Sequence, residues 1–222
     1  PAVFVSRPNR FVAEVEIDGE KAICHVKNTG RCRELLIPGA KIFISESDNP
    51  LRKTKYDLIS VYKGDVLVNI DSQAPNKVVG EWLREKGLQG EAVTSLRSEY
   101  FYGHSRLDFY AETKSRRCLI EVEGCTLEAA GVAKFPDAPT ERGVRHLEEL
   151  ISARQLGYEA MAVFVIQMKG VSLFAPNWRT HAAFGDAPTD AAAAGVFTRA
   201  LDCIVTADYL LIYREIPVSL DR

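Results

Sequence analysis

Five short apolar stretches, separated by turn residues, fill residues 9–71 and restrict this part of the chain to a small β-structure. The stretches "RFVAEVEI" and "KAICHV" flank "DGE", a pattern that is typical of a β-hairpin. "PGAKIFIS", "YDLISVY" and "DVLVNID" follow at the spacing of a sheet. Five short strands within about 60 residues predict a small barrel or half-barrel of the OB type.

The periodicity of the apolar residues changes at residues 72–76. In "APNKVVGEWLREKGL" we expect Asn76 to cap a helix that ends at Gly87. The buried stripe of this helix would consist of Val78, Val79, Trp82 and Leu83. The change predicts a domain boundary here, with an OB-like domain at residues 1–74 and a second domain at residues 75–222.

Strands and helices alternate in the second half of the chain. "LRSEYFYG" precedes a hairpin in "RLDFYAETKSRRCLIEVEGC", residues 106–125. A helix follows at 140–157, with Thr140 as N-cap and Gly157 as C-cap. The nearly continuous apolar run "EAMAVFVIQM" is typical of a central strand that is covered on both faces. These patterns predict a mixed α/β domain with a four- or five-stranded sheet.

Composition argues against a membrane protein and against a disulfide-rich one. The longest apolar run, "AMAVFVI", is far shorter than the roughly 20 residues that a membrane span needs. The first ten residues lack the basic-then-apolar pattern of an export signal. The five cysteines are scattered and odd in number, so neither a disulfide framework nor a zinc site is expected. We therefore expect a cytoplasmic protein with reduced thiols and no membrane partner.

The hairpin at 106–125 carries acids where a purely structural hairpin would avoid them. A turn at 113–116 places Asp108 opposite Glu121, and Arg106 opposite Glu123. Like charges at directly opposed positions destabilise a sheet. A divalent cation would resolve this repulsion, because hard cations take carboxylate oxygens as ligands. The alternative is a set of ordinary exposed acids, with Arg106 neutralising Glu123.

Two basic clusters and a helix start are candidate phosphate contacts. The clusters in the first domain consist of Lys27, Arg31 and Arg33, and of Arg52, Lys53 and Lys55. Nearby aromatic residues that could stack on bases are Phe11, Phe43 and Tyr56. In the second domain, Arg142 lies beside the free N–H groups of the helix that begins after Thr140. The alternative for each is a solvated surface charge.

Several ordered motifs resemble one known family. They are "PNRF" (8–11), "HVKNTGR" (25–31), "PGAKIF" (38–43), "SRLDF" (105–109), "IEVEGCTL" (120–127) and "FPDAPTERGVRHLEEL" (135–150). Over nearly its whole length the chain is similar to the sugar fermentation stimulation protein A family. The resemblance implies an OB-like N-terminal domain, a C-terminal domain of the PD-(D/E)XK nuclease type, and non-specific DNA binding. It also implies a role in regulating sugar (maltose) metabolism.

The resemblance also assigns candidate site residues. Asp108 and Glu121 match the acids of the nuclease motif, and Glu99 matches a further site carboxylate. The lysine of the motif is replaced by Glu123. Asp108, Glu121 and Glu123 would bind Mg²⁺ or Mn²⁺, and these three acids with Glu99 would form the catalytic set. Lys134 could supply the missing positive charge.

Three functions remain open at this point. The leading hypothesis is a DNA-binding protein with a nuclease-like carboxylate site, and the alternative is a divalent-metal-dependent nuclease. The third is a regulator that acts through a protein partner. His104 and His146 lie near the acids in sequence, and we assign neither of them a role.

Overall fold

Five N-terminal strands close into a barrel in the computed structural model, which describes residues 1–28, 30–49, 51–103 and 105–222. They are β1 (Ala2–Asn9), β2 (Val12–Ile17), β3 (Glu20–Val26), β4 (Lys41–Glu46) and β5 (Tyr56–Lys63). Neighbouring strands pair in antiparallel fashion in the order β3-β2-β1-β4-β5, and a parallel pairing of β3 with β5 closes the barrel. The chain therefore has the OB-type barrel that the sequence predicts.

The five strands are not the five that the apolar pattern indicated. The first strand, β1, was not predicted, although its alternation is visible in the buried Ala2 and Phe4. The predicted fifth strand, β6 (Val66–Asn69), pairs with β5 but lies outside the closure. The chain enters the second domain after β6. The N–H of Asn69, the last residue of β6, donates to the carbonyl of Gln167 in that domain.

The second domain is built on a six-stranded mixed sheet of order β15-β14-β12-β9-β8-β7. Its elements in chain order are α1 (Ala74–Lys86), β7 (Ser95–Tyr102), β8 (Ser105–Glu112), β9 (Arg117–Cys125), β10 (Leu127–Ala129), β11 (Val132–Phe135), α2 (Glu141–Gln155), β12 (Glu159–Ile166), β13 (Leu173–Pro176), α3 (Ala182–Ala193), β14 (Phe197–Val205) and β15 (Leu210–Ile216). Strands β9, β12 and β14 are parallel. The mixed α/β architecture is confirmed.

Helices α1 and α2 cover opposite faces of this sheet. Val79 of α1 packs in one apolar core with Ile120, whereas Leu147 of α2 packs in another with Leu119. Adjacent residues of a strand point to opposite faces, so the two cores lie on the two sides of β9. Strand β12 between them is buried along residues 160–166, as its apolar run predicts.

Several details of the second domain differ from expectation, and one is the C-cap of α2, which is Leu156 rather than Gly157. The sheet has six strands rather than four or five, and β10, β11 and β13 form a separate three-stranded sheet. Helix α1 begins at Ala74 after the N-cap Gln73. Asn76 is therefore inside the helix rather than its cap, because Pro75 favours the first turn, where its missing N–H costs nothing.

Buried hydrogen bonds join the barrel to the second domain. The Gln167 side chain, 1% exposed, donates to Asn69 Oδ1 at 2.9 Å and to the Asp71 carbonyl at 3.0 Å. On the other side, the Cys32 N–H donates to Asp137 Oδ2 at 3.2 Å. Because buried amides are costly to leave unpaired, these contacts hold the two domains in one arrangement.

The five cysteines are all buried and free, which agrees with reduced thiols. None of the helices in the described ranges is both long and apolar enough to cross a membrane.

Candidate functional site

A cleft of about 460 Å³ lies where the barrel meets the second domain. Arg10 and Asn28 line it from the barrel, and Glu123 and Lys134 line it from the second domain. The segment 135–140, which leads into α2, forms another wall. A cleft with convergent polar groups at a domain boundary is a common position for a ligand site.

Two hydrogen bonds hold Asp108 in place, and their donors belong to Asn76 and Val122, which line the cleft. Asn76 Nδ2 of α1 donates to its Oδ1 at 2.6 Å, and the Val122 N–H of β9 donates to its Oδ2 at 2.8 Å. Burial raises the pKa of the Asp108 carboxyl, and these hydrogen bonds oppose the rise. Asp108 is therefore a fixed carboxylate, 9% exposed, at the junction of α1 and β9.

The predicted register of the hairpin is confirmed between the turn and Phe109. Strands β8 and β9 pair from Phe109–Ile120 to Glu112–Arg117, as predicted. Leu107 and Phe109, however, pack in different cores, although residues two apart in a regular strand share one face. The regular alternation of the two faces of β8 is therefore interrupted at Asp108.

Glu121 is buried beneath α2 and contacts His146. Its Oε1 is hydrogen-bonded to Nδ1 of His146, and the two residues are 4% and 6% exposed. Its Oε2 is buried and has no hydrogen-bond partner within the described ranges. Burial, followed by the nearby Asp108 charge, raises the pKa of Glu121 to about 9.

Glu123 lies on the wall of the cleft. Burial, followed by the charges of Glu121 and Asp108, raises the pKa of its carboxyl to about 8. The three acids predicted as a metal site are thus close enough to perturb one another. As the side chains stand in the described part of the chain, no group of three or more His, Cys, Asp or Glu residues is placed so that it could hold a metal ion.

Arg106 does not neutralise Glu123. Its Nε forms an ion pair with Glu99 Oε2 at 2.7 Å, because Arg106 pairs with Phe101 of β7, near Glu99. Glu99 is exposed and has a positive φ of 55°. It lines a second cavity, of about 420 Å³, together with Asp108 and Asn76. Glu99 therefore lies beside the site, but on the side of Asp108 that faces α1.

Asp57 forms an ion pair with one residue of each basic cluster of the barrel. Lys27 Nζ lies 3.1 Å from Asp57 Oδ2 and 3.3 Å from Asp71 Oδ2, and Arg52 Nη2 lies 2.6 Å from Asp57 Oδ1. These two cations are committed to ion pairs inside the protein. Lys55 pairs with Glu46 at the surface. The side chains of Arg31, Arg33 and Lys53 are exposed.

The three candidate stacking residues lie in different surroundings. Phe11 is 45% exposed, and the guanidinium of Arg10 lies over its ring at 4.8 Å. Phe43 and Tyr56 are half-buried. Phe11 is adjacent to the cleft, because Arg10, which stacks on its ring, is one of the residues that line the cleft.

Three residues that contribute to the site were not predicted as site residues: His146, Asn76 and Arg10. Asn76 was expected only to cap α1, and His104 lies outside the described residues. One signal for His146 was available: Gly143, His146, Leu150 and Ala153 are spaced at three- and four-residue intervals and are buried. A histidine on that inward face must find a polar partner, and a buried glutamate is such a partner.

Comparison with known proteins gives matches over most of the chain. Residues 5–70 match a family model described as "SfsA N-terminal OB domain", and residues 73–209 match one described as "Sugar fermentation stimulation protein RE domain". A sugar fermentation stimulation protein homolog from Desulfitobacterium hafniense (strain Y51) is 60% identical over 92% of this chain and 89% of its own. A homolog from Ruminiclostridium cellulolyticum is 54% identical over 98% and 96%.

A solved structure has the same fold. SfsA from Pyrococcus furiosus, determined in complex with Ca²⁺, superposes with a TM-score of 0.87 at 28% identity. The match covers 98% of this chain and 94% of that one.

Proposed function

Since the chain belongs to the sugar fermentation stimulation protein family, we propose that it binds DNA without sequence preference and carries a divalent-cation site beside the bound backbone. The observation that carries this proposal is the group of three desolvated carboxylates, Asp108, Glu121 and Glu123. Of these, Glu123 lines the cleft between the OB barrel and the mixed α/β domain. OB barrels commonly bind nucleic acid.

The carboxylates are suited to a hard cation. Glu121 Oε2 is buried without a partner, and the pKa values of all three acids are raised. A bound Mg²⁺ or Mn²⁺ would remove their mutual repulsion, because such ions prefer oxygen ligands. The relative from Pyrococcus furiosus was solved with Ca²⁺, a cation of the same ligand preference. We assign Asp108, Glu121 and Glu123 as the residues that would hold the ion.

Positive side chains around the carboxylates would orient the phosphates. Arg10 and Lys134 line the cleft, and the exposed Arg142 stands at the start of α2. Arg31, Arg33 and Lys53 would extend the contact over the barrel, whereas Lys27 and Arg52 would contribute less because Asp57 already binds them. Most of the affinity would then come from phosphate contacts and would fall with salt.

Hydrolysis of the DNA backbone is the second candidate function. It is favoured by Lys134, which lines the same cleft as Glu123 and can replace the positive charge of the missing motif lysine. In this reaction Glu123 would accept a proton from the attacking water, and Lys134 would stabilise charge on the phosphate. A divalent ion, when bound, would lower the pKa of that water and stabilise the developing charge.

The physiological setting we propose is the cytoplasm, with a role in regulating sugar (maltose) metabolism. The role in sugar metabolism rests on the family alone. It predicts that deletion of the gene changes sugar-dependent transcription, and that a DNA-binding-deficient variant fails to restore it.

One experiment separates the candidates. Plasmid, single-stranded DNA and RNA are each incubated with the protein and Mg²⁺, Mn²⁺ or EDTA, and both binding and cleavage are measured. Binding in EDTA without cleavage in either metal supports a DNA-binding protein. Metal-dependent cleavage that Asp108→Asn abolishes supports the nuclease. Absence of binding to all three nucleic acids would refute both and leave a regulator that acts through a protein partner.

A further inference from the structure

His146 connects an exposed arginine to a buried carboxylate. Arg142 and His146 lie one turn apart on α2, and Arg142 Nε donates to His146 Nε2 at 3.4 Å. On the other side of the ring, Nδ1 of His146 is hydrogen-bonded to Glu121 Oε1. The imidazole, 6% exposed, therefore fills the space between a surface cation and a site acid.

The contact with Arg142 determines the tautomer of His146. An arginine Nε–H is always a donor, so Nε2 of His146 must be an acceptor. A neutral imidazole carries its one proton on the other nitrogen, which places it on Nδ1. The Nδ1–H then donates to Glu121 Oε1.

The two carboxylate oxygens of Glu121 consequently have different surroundings. Oε1 is anchored by His146, and the buried Oε2 has no partner within the described ranges. Ligating carboxylates are commonly fixed through hydrogen bonds to groups behind them. An acid anchored through one oxygen presents the other in a constant direction.

We propose that Arg142 and His146 are positioning residues that orient Glu121 for a divalent cation, with Arg142 setting the histidine tautomer and His146 fixing Oε1. This inference rests on the cation site of the proposed function. It adds that the α2 motif "TERGVRHLEEL" supports the metal ligand in addition to facing a phosphate. The hydrogen bond to His146 uses only Nε of Arg142, so its terminal amino groups remain available to DNA.

Two isosteric substitutions provide a matched test. The amide nitrogen of asparagine can occupy the position of Nδ1, and that of glutamine can occupy the position of Nε2. His146→Asn should keep the hydrogen bond to Glu121, whereas His146→Gln and His146→Ala should lose it. We expect Mn²⁺ affinity, measured by calorimetry, to fall about 10- to 100-fold in the Gln and Ala variants. It should stay close to wild type in the Asn variant.

A second measurement does not depend on metal. The ¹⁵N shifts of the imidazole in the metal-free protein should show His146 with its proton on Nδ1. Arg142→Ala should shift the ring towards a mixture of tautomers, and Arg142→Lys should do the same, because lysine lacks the planar Nε–H. Thermal unfolding identifies any variant that fails to fold.

The outcomes distinguish this inference from the proposed function. If wild type binds Mn²⁺ and the Ala variant binds it equally tightly, the positioning role is overturned while the cation site stands. If wild type binds neither Mn²⁺ nor Mg²⁺, the cation site is overturned, and with it the role of His146 towards a metal. An Nε2–H tautomer in the metal-free wild type would overturn the role of Arg142 in either case.

Discussion

Replacing Glu123 by glutamine should stabilise the metal-free protein, and the gain should grow with pH. The folded-state pKa of Glu123 is raised to about 8 from 4.5, because the carboxyl is buried beside Glu121 and Asp108. A carboxyl whose pKa is raised in the folded state contributes its full stability at pH values below its unfolded-state pKa. That contribution is lost as the pH rises through the folded-state pKa. The wild type should therefore weaken between pH 4.5 and 8.

The size of the effect follows from the same two values. A difference between 4.5 and about 8, at about 1.4 kcal/mol per unit, corresponds to about 5 kcal/mol for complete ionisation. Roughly half of this develops between pH 6 and pH 9, because the unfolded carboxyl is already ionised at pH 6 while the folded one is still protonated. Glu123→Gln should thus gain about 2.5 kcal/mol over wild type across this interval. In a chain of this size that is about 5–10 °C in Tm.

The assay is thermal unfolding of both proteins in EDTA at several pH values from 6 to 9. Glu148→Gln is the matched control, since Glu148 is an exposed glutamate of the same domain. Its stability difference from wild type should not vary with pH. Added Mg²⁺ or Mn²⁺ should then raise the Tm of wild type more than that of Glu123→Gln, because a ligand that binds only the folded state stabilises it.

A difference between wild type and Glu123→Gln that stays constant from pH 6 to 9 would refute the reasoning. It would show that Glu123 ionises freely in the folded protein, and that the three carboxylates do not repel one another as described.

Three further predictions test other parts of the molecule. Glu91 accepts hydrogen bonds at the hairpin turn, and these bonds are the main reason why its pKa is lowered to about 2. Glu91→Gln should therefore be less stable than wild type at pH 6, and thermal unfolding should show this difference disappearing as the pH falls from 4.5 towards 2. Arg31→Ala should reduce the slope of log affinity for DNA against log salt concentration by about 0.9. Lys27→Met should leave that slope unchanged, because Lys27 is already paired with two carboxylates. Gly124→Ala would place a Cβ 2.5 Å from Gln167 Oε1 and should cost about 1–3 kcal/mol in chemical denaturation; an unchanged midpoint would show that the domain contact adapts.

Local signals in the sequence were sufficient for the features that depend on neighbouring residues. The barrel follows from alternating apolar stretches and turns, and the register at the hairpin end follows from the turn at 113–116. Thr140 is the N-cap of α2, and its side chain accepts from the Gly143 N–H, as predicted.

The features that were missed depend on contacts between distant segments. Arg106 pairs with Glu99 because β7 lies on the other side of β8, an arrangement that the hairpin alone does not specify. His146 reaches Glu121 only because α2 packs across β9. Likewise, the cluster containing Arg52 is partly neutralised by Asp57, which a count of charges along a loop cannot show.

The buried hydrogen bonds between the domains limit how the chain can be divided experimentally. Cutting at residues 74–75 would leave Asn69 without Gln167 and the Cys32 N–H without Asp137, and buried polar groups that lose their partners cost about 1–3 kcal/mol each. The separated halves would also lose the cleft, because each contributes one wall of it. Binding data from either half expressed alone would therefore describe a surface that the intact protein does not have, and point substitutions in the full chain are the sounder way to assign affinity to one domain.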